Sequence, residues 1–228
     1  MKFFLSYYGI TVLFSVICGF IALFIGLKLK NKFAALNIFY LYPLASVLQS
    51  AISLIIHSTH NRFNIKSYIS ITNAATNIFL LAEFLLIYNF FQKALLSKSI
   101  KQVMRLITAV YVIILITDWF FYKDFFNWST QILVVQAIFM LVPALYYFFD
   151  LLINPAIPEL LKTYSFWISL GVVFYFSCTL PIFLFKDFAY NKKGLLTEAN
   201  LYSINTICYG IFFLLIAKAY LCPKKDTP

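Results

Sequence analysis

The stretch YISITNAATNIFLLAEFLLIYNFFQKALL, Tyr68 to Leu96, decides the fold. It is long enough to cross the hydrocarbon core of a bilayer as one helix. Deep inside it stands a single acid, Glu83. An ionisable side chain at that depth costs several kcal/mol unless it is paired or faces a polar cavity. Neighbouring helices are therefore expected to give Glu83 a protein-lined home. Asn73, Thr76 and Asn77 lie on the way to it. At about 100° per residue, Thr72 and Thr76 each fall within about 20° of Glu83, as a polar stripe down one helix face.

The rest of the chain agrees. Of its 228 residues, 63% are hydrophobic, 20% aromatic and only 11% charged. Soluble domains carry about 25% charged residues, and a soluble fold could not hide this much apolar surface. The reading is an all-α polytopic membrane bundle, one domain over residues 1–228. Seven transmembrane spans are expected at about 5–27, 33–56, 68–96, 103–122, 131–153, 164–185 and 201–222. The apolar stretch at the N-terminus is longer than a signal-peptide core and no small-residue cleavage site follows, so it reads as a retained first helix. A membrane β-barrel would need alternating segments of about ten residues, which these runs are not.

The net charge of +10 comes from 18 Lys and Arg against 8 acids. The cations sit at span ends, where they fix topology and meet anionic lipid head groups, so nucleic acid is not the expected partner. The clusters at Lys28, Lys30 and Lys32 and at Lys93, Lys98, Lys101 and Arg105 place the N-terminus outside and the C-terminus inside, in a multi-pass inner-membrane protein. Cys18, Cys178, Cys208 and Cys222 lie in or beside apolar runs and form no CxxC pair, so they read as small buried hydrophobes.

In that topology the outer half collects the polar groups: Asn73, Thr76 and Asn77 from the third span, Asp118 from the fourth, Gln136 from the fifth and Asn205 from the seventh. Glu83 lies at the floor of the layer. Such a funnel suits a receptor or an outward-facing solute site. Interhelical hydrogen bonding that holds the bundle is the alternative for each Asn, Gln and Thr. His57 and His60, three residues apart, are weak metal candidates without a third ligand, and they could instead respond to pH. Pro43, Pro143 and Pro181 fall within spans and predict kinks.

No GxSxG, HExxH, P-loop or GxGxxG occurs, so neither an enzyme nor a bound cofactor is expected. A retinal pigment would want a lysine mid-way along the last span, and the lysine of that span, Lys218, lies near its inner end.

Three stretches together resemble a family of bacterial seven-helix membrane proteins of unknown activity: YSFWISLGVVFYFSCTLPIFLF (Tyr164 to Phe185), AEFLLIYNFFQKAL (Ala82 to Leu95) and NLYSINTICYGIFF (Asn200 to Phe213). The shared features are an acid followed by Phe in the third span, here Glu83-Phe84, and a Tyr-x-Phe-Trp entry to the sixth, here Tyr164, Phe166 and Trp167, with Gly171 and Tyr175 following. Where the family often has Gly after a Ser, this chain has Cys178. Members are often encoded beside sensor histidine kinases. The resemblance therefore implies an input module for signalling with a separate kinase as partner, and supplies no ligand. The polar layer adds the expectation of a receptor-like module that takes a small ligand or membrane state as input, with Tyr175 counted among the cavity residues. A small-solute or ion-coupled transporter built as three plus one plus three spans is the second reading. A membrane-embedded lipid enzyme with Glu83 or Asp118 as base is the third.

Overall fold

The computed structural model describes residues 7–29, 36–58, 65–95, 98–122, 125–127, 129–153, 159–184 and 198–222. The helices are α1 (Tyr7–Leu29), α2 (Leu41–Ser58), α3 (Ile65–Ala94), α4 (Lys98–Thr117), α5 (Thr130–Ile153), α6 (Tyr164–Leu184) and α7 (Glu198–Leu221). A single turn, Leu36–Phe39, precedes α2, and a π-helical turn, Asp118–Tyr122, extends α4. Among the described residues, six segments are long and apolar enough to cross a membrane: Gly9–Leu29, Ile69–Ala94, Ile100–Phe121, Thr130–Ile153, Tyr164–Leu184 and Asn200–Leu221. The protein is thus a helical, multi-pass membrane protein.

The distribution of side chains is what a lipid solvent dictates. On α1, Ile10, Leu13, Ile17, Phe20, Ile21 and Phe24 are exposed, while Thr11, Ser15, Cys18 and Ala22 are buried. The buried set recurs at i, i+4, i+7 and i+11, one helical face. Acyl chains solvate large apolar groups as well as a protein interior does, so small and polar residues face inward, where backbones can approach closely. On α4, Val103, Leu106, Val110, Ile113 and Ile116 form the exposed stripe, and Met104, Tyr111 and Leu115 the buried one.

Each helix packs against the next, and α1 closes the ring against α7. Helix α3 also touches α5 directly, which leaves α4 on the outside of the ring, against both. Two glycines set the tightest approaches. A Cβ on Gly171 of α6 would stand 2.6 Å from Cδ2 of Phe212 on α7, and one on Gly210 of α7 would collide with the ring of Phe14 on α1. Gly171, two turns before Cys178, is thus where α6 packs closely on α7.

Pro143 and Pro181 lie inside α5 and α6. Pro43 does not lie mid-helix. The helical path breaks at Tyr40, and Pro43 occupies the first turn of α2, where the N–H it lacks would have had no partner inside the helix. The second span is accordingly a one-turn segment plus Leu41–Ser58, not one unbroken helix.

Candidate functional site

A cavity of about 470 Å³ opens among six of the helices, α4 being the one that contributes no wall. Its lining comes from the first half of α1 (Val12, Ser15), α2 from its middle onward (Gln49, Ser50, Ser53), the first two thirds of α3 (Thr72, Thr76, Phe79, Leu80, Glu83), α5 (Leu133, Gln136), the second half of α6 (Tyr175, Phe176, Thr179, Phe183) and the first half of α7 (Tyr202, Asn205, Thr206, Tyr209). All of these belong to the face of the bundle at which α1 begins. From Thr72 to Glu83 the cavity runs about 16 Å deep, at about 1.5 Å per residue.

Glu83 is 3% exposed and forms the floor. Tyr42 Oη donates to one carboxyl oxygen at 2.9 Å, and Gln136 Nε2 donates to the other at 2.8 Å. The amide of Gln136 is held in that orientation by Tyr111, whose hydroxyl donates to Gln136 Oε1 at 2.8 Å. On the other side the hydroxyl of Tyr209 lies 3.4 Å from Tyr42 Oη and 2.9 Å from Ser46 Oγ. A chain of polar contacts, Ser46–Tyr209–Tyr42–Glu83–Gln136–Tyr111, thereby links α2, α7, α3, α5 and α4. Because each member orients the next, its strength is a property of the whole network.

Higher on the wall, Gln49 Nε2 donates to Thr76 Oγ1 at 3.3 Å, and Thr76 Oγ1 in turn donates to the carbonyl of Thr72 at 3.0 Å. Thr179 Oγ1 sits 2.8 Å from the carbonyl of Tyr175 and 3.1 Å from Asn205 Oδ1. Beneath Glu83 the bundle closes with large apolar side chains. Phe84, Ile87, Phe90, Phe91, Phe212 and Phe213 are each at most 1% exposed. The ring of Phe84 stacks on Tyr111 at 3.8 Å, and Phe212 stacks on Tyr175 at 5.5 Å. These buried rings fill the space beneath Glu83.

Of the residues singled out in the sequence, Glu83, Thr76, Gln136, Asn205 and Tyr175 meet in this cavity, and Thr72 continues the stripe. Asn73, Asn77 and Asp118 do not line it. Asn73 Nδ2 donates to the carbonyl of Phe126 at 3.0 Å, and Asn77 Nδ2 to the carbonyls of Phe125 at 2.6 Å and Asn127 at 3.3 Å. Both asparagines hold down the connection between α4 and α5. The reason is angular: Asn77 stands about 120° round the helix from Glu83, and Asn73 about 80°. Asp118 is buried in the π turn beside that connection and accepts from Ser129 Oγ at 3.2 Å. The side chain of His57 and all of His60 lie outside the described residues.

Asn77 offers a first expected outcome. Asn77→Ala removes two contacts to the α4–α5 connection, and interhelical hydrogen bonds in membranes are worth about 0.6 kcal/mol each on average. Thermal unfolding in detergent should shift down by about 2–4 °C, with no change in the binding properties of the cavity.

The tyrosines of this network, Tyr42 on the carboxyl, Tyr111 on Gln136 and Tyr209 beside Tyr42, are not among the residues singled out in the sequence. Each is a tyrosine near the middle of its span, away from the interfacial belts where tyrosine is usual. A phenol at that depth must find a hydrogen-bond partner, and that requirement is the signal that marks them. No protein-family description, curated protein or solved structure matches the chain.

Proposed function

We propose that the protein is a receptor-like inner-membrane module that senses a small molecule, or a change in membrane state, in the cavity above Glu83 and passes the signal to a separate protein. The single observation that carries this reading is the cavity in one half of the bundle: walls that mix apolar rings with hydroxyl and amide groups, a carboxyl at the floor, and a layer of buried aromatic side chains below it. In this reading α2, 18 residues and about 27 Å long, is the seventh crossing.

The orientation follows from charge. Lys28, Lys93, Lys101, Arg105, Lys162 and Lys218 all belong to the face opposite the cavity mouth. An excess of cations marks the cytoplasmic side, so the mouth faces outward. The same cationic face is where a separate partner, a histidine kinase by the family resemblance, would receive the signal. Membrane lipid is the other partner, against the exposed stripes of α1 and α4.

Transport is the rival, and it makes a different demand. A transporter must offer its site to both sides in turn, whereas a receptor keeps it on one. Cysteines introduced at Thr179 and at Thr206 should be labelled by a membrane-impermeant maleimide in right-side-out vesicles and should stay unlabelled in inside-out vesicles. Labelling from both sides would replace the receptor reading with alternating access.

A further inference from the structure

The charge of the cavity is one-sided as well as its opening. Among the described residues that line it, Glu83 is the one carboxyl and none is Lys, Arg or His. The groups that touch its oxygens are a phenol and an amide, both neutral donors. They satisfy the carboxyl geometrically and bring no compensating charge. Around it the walls present aromatic rings: Phe79, Phe176 and Phe183, with Tyr175, Tyr202 and Tyr209. The rings of Tyr175 and Tyr209 lie 5.0 Å apart and tilted by 42°. Aromatic faces attract cations, and clusters of them recognise alkylated ammonium groups. The volume falls within the range of small-molecule sites, about 300–1,000 Å³.

From this combination we propose that the cavity binds an organic cation, a protonated or quaternary amine, with its charge directed to Glu83 and its carbon substituents against the tyrosine and phenylalanine rings. An anion would meet the carboxyl with no cation to offset it. A wholly apolar ligand would cover the Glu83 carboxyl while supplying neither a donor nor a counter-charge. An ammonium ion avoids both penalties. The inference rests on the reading of the cavity as a site open to one side.

The test uses the full chain in lipid nanodiscs, with Thr206→Cys as a reporter. Thr206 lines the cavity and spends its hydroxyl on the carbonyl of Tyr202 in its own helix, so the exchange disturbs little. The thiol is modified with two methanethiosulfonates, one carrying a trimethylammonium group and one a sulfonate. Their rate ratio is normalised to the ratio for a small thiol in solution, and the background of the parent chain is subtracted. Any change in thiol reactivity affects both reagents and cancels in the ratio. The cationic reagent is expected to be favoured about tenfold, which corresponds to about 1.4 kcal/mol, and Glu83→Gln should return the ratio to near one. Choline should protect the thiol, while its neutral isostere 3,3-dimethyl-1-butanol and sodium chloride at equal concentration should not.

If neither reagent reacts, the cavity is closed and the outward-facing reading fails. If both react at a normalised ratio of one, or if the neutral isostere protects as well as choline, the cavity reading stands and the cation proposal is overturned. Protection by sodium chloride equal to that by choline overturns the organic part of it. Should the Glu83→Gln chain not accumulate, the ratio and the choline protection in the chain with Glu83 intact decide the matter alone.

Discussion

Gln136→Leu is expected to destabilise the bundle by about 2–4 kcal/mol, a fall of about 5–15 °C in the thermal midpoint of a chain this size. Leucine is close to glutamine in bulk, so the loss is not one of packing. Gln136 is 1% exposed and serves two neighbours at once. Its amide nitrogen donates to Glu83, and its amide oxygen accepts from Tyr111. Removing it strands a buried carboxyl oxygen and a phenol that is itself fully buried. Leaving a polar group unpaired costs its full desolvation, whereas removing both partners can be almost neutral. Tyr111→Phe in the Gln136→Leu background should therefore recover part of the loss, and the non-additivity of the pair is the quantity to measure. An unchanged midpoint in Gln136→Leu would mean that the carboxyl has another donor, and the network would have to be redrawn.

Gly171→Leu should be more damaging still, because it acts on the seam that aligns the cavity walls. Even alanine places a methyl 2.6 Å from one ring atom of Phe212 and 2.9 Å from another. Phe212 cannot retreat. It is fully buried, lies parallel to Tyr175 at 5.5 Å and packs against Tyr42 at 5.6 Å. Overpacking a dense core costs about 1–3 kcal/mol, so Gly171→Ala should lower the midpoint by about 3–10 °C. Leucine adds three more carbons to the same clash and should abolish folded protein, read as loss of the monodisperse peak in detergent chromatography. Phe212→Leu should rescue Gly171→Ala in part, by giving the methyl room. A Gly171→Ala chain as stable as the parent would show that α6 and α7 do not meet here.

The membrane-spanning helices were legible because the pattern that marks them is coarse: length, lack of charge and cations at the ends. The shelter around Glu83 was legible for a similar reason, since a lone acid at bilayer depth must have one. Thr72 and Thr76 followed from angular spacing alone. Asn77 was not separated from them, although the same spacing turns it away from Glu83. Its amide could serve a ligand or a loop carbonyl equally well, and only the fold brings Phe125 to it. Tyr42 and Tyr209 were hidden differently. Nothing within a single helix says which neighbour will face it: Tyr42 meets Glu83 from α2 across 41 residues, and Tyr209 on α7, 126 positions along the chain from Glu83, is joined to it through Tyr42. The break at Tyr40 escaped notice because proline at the third position of a helix and proline in its middle look alike until the start of the helix is known.

The place of α4 has a consequence of its own. It stands outside the ring like an outrigger, with much of its surface in lipid, yet through Tyr111 it grips the amide that grips the carboxyl. Sliding it sideways in the plane of the bilayer would leave the outline of the cavity intact and loosen its floor. Lateral pressure on one lipid-bathed helix and a guest held by an acid would then be two hands on the same lever.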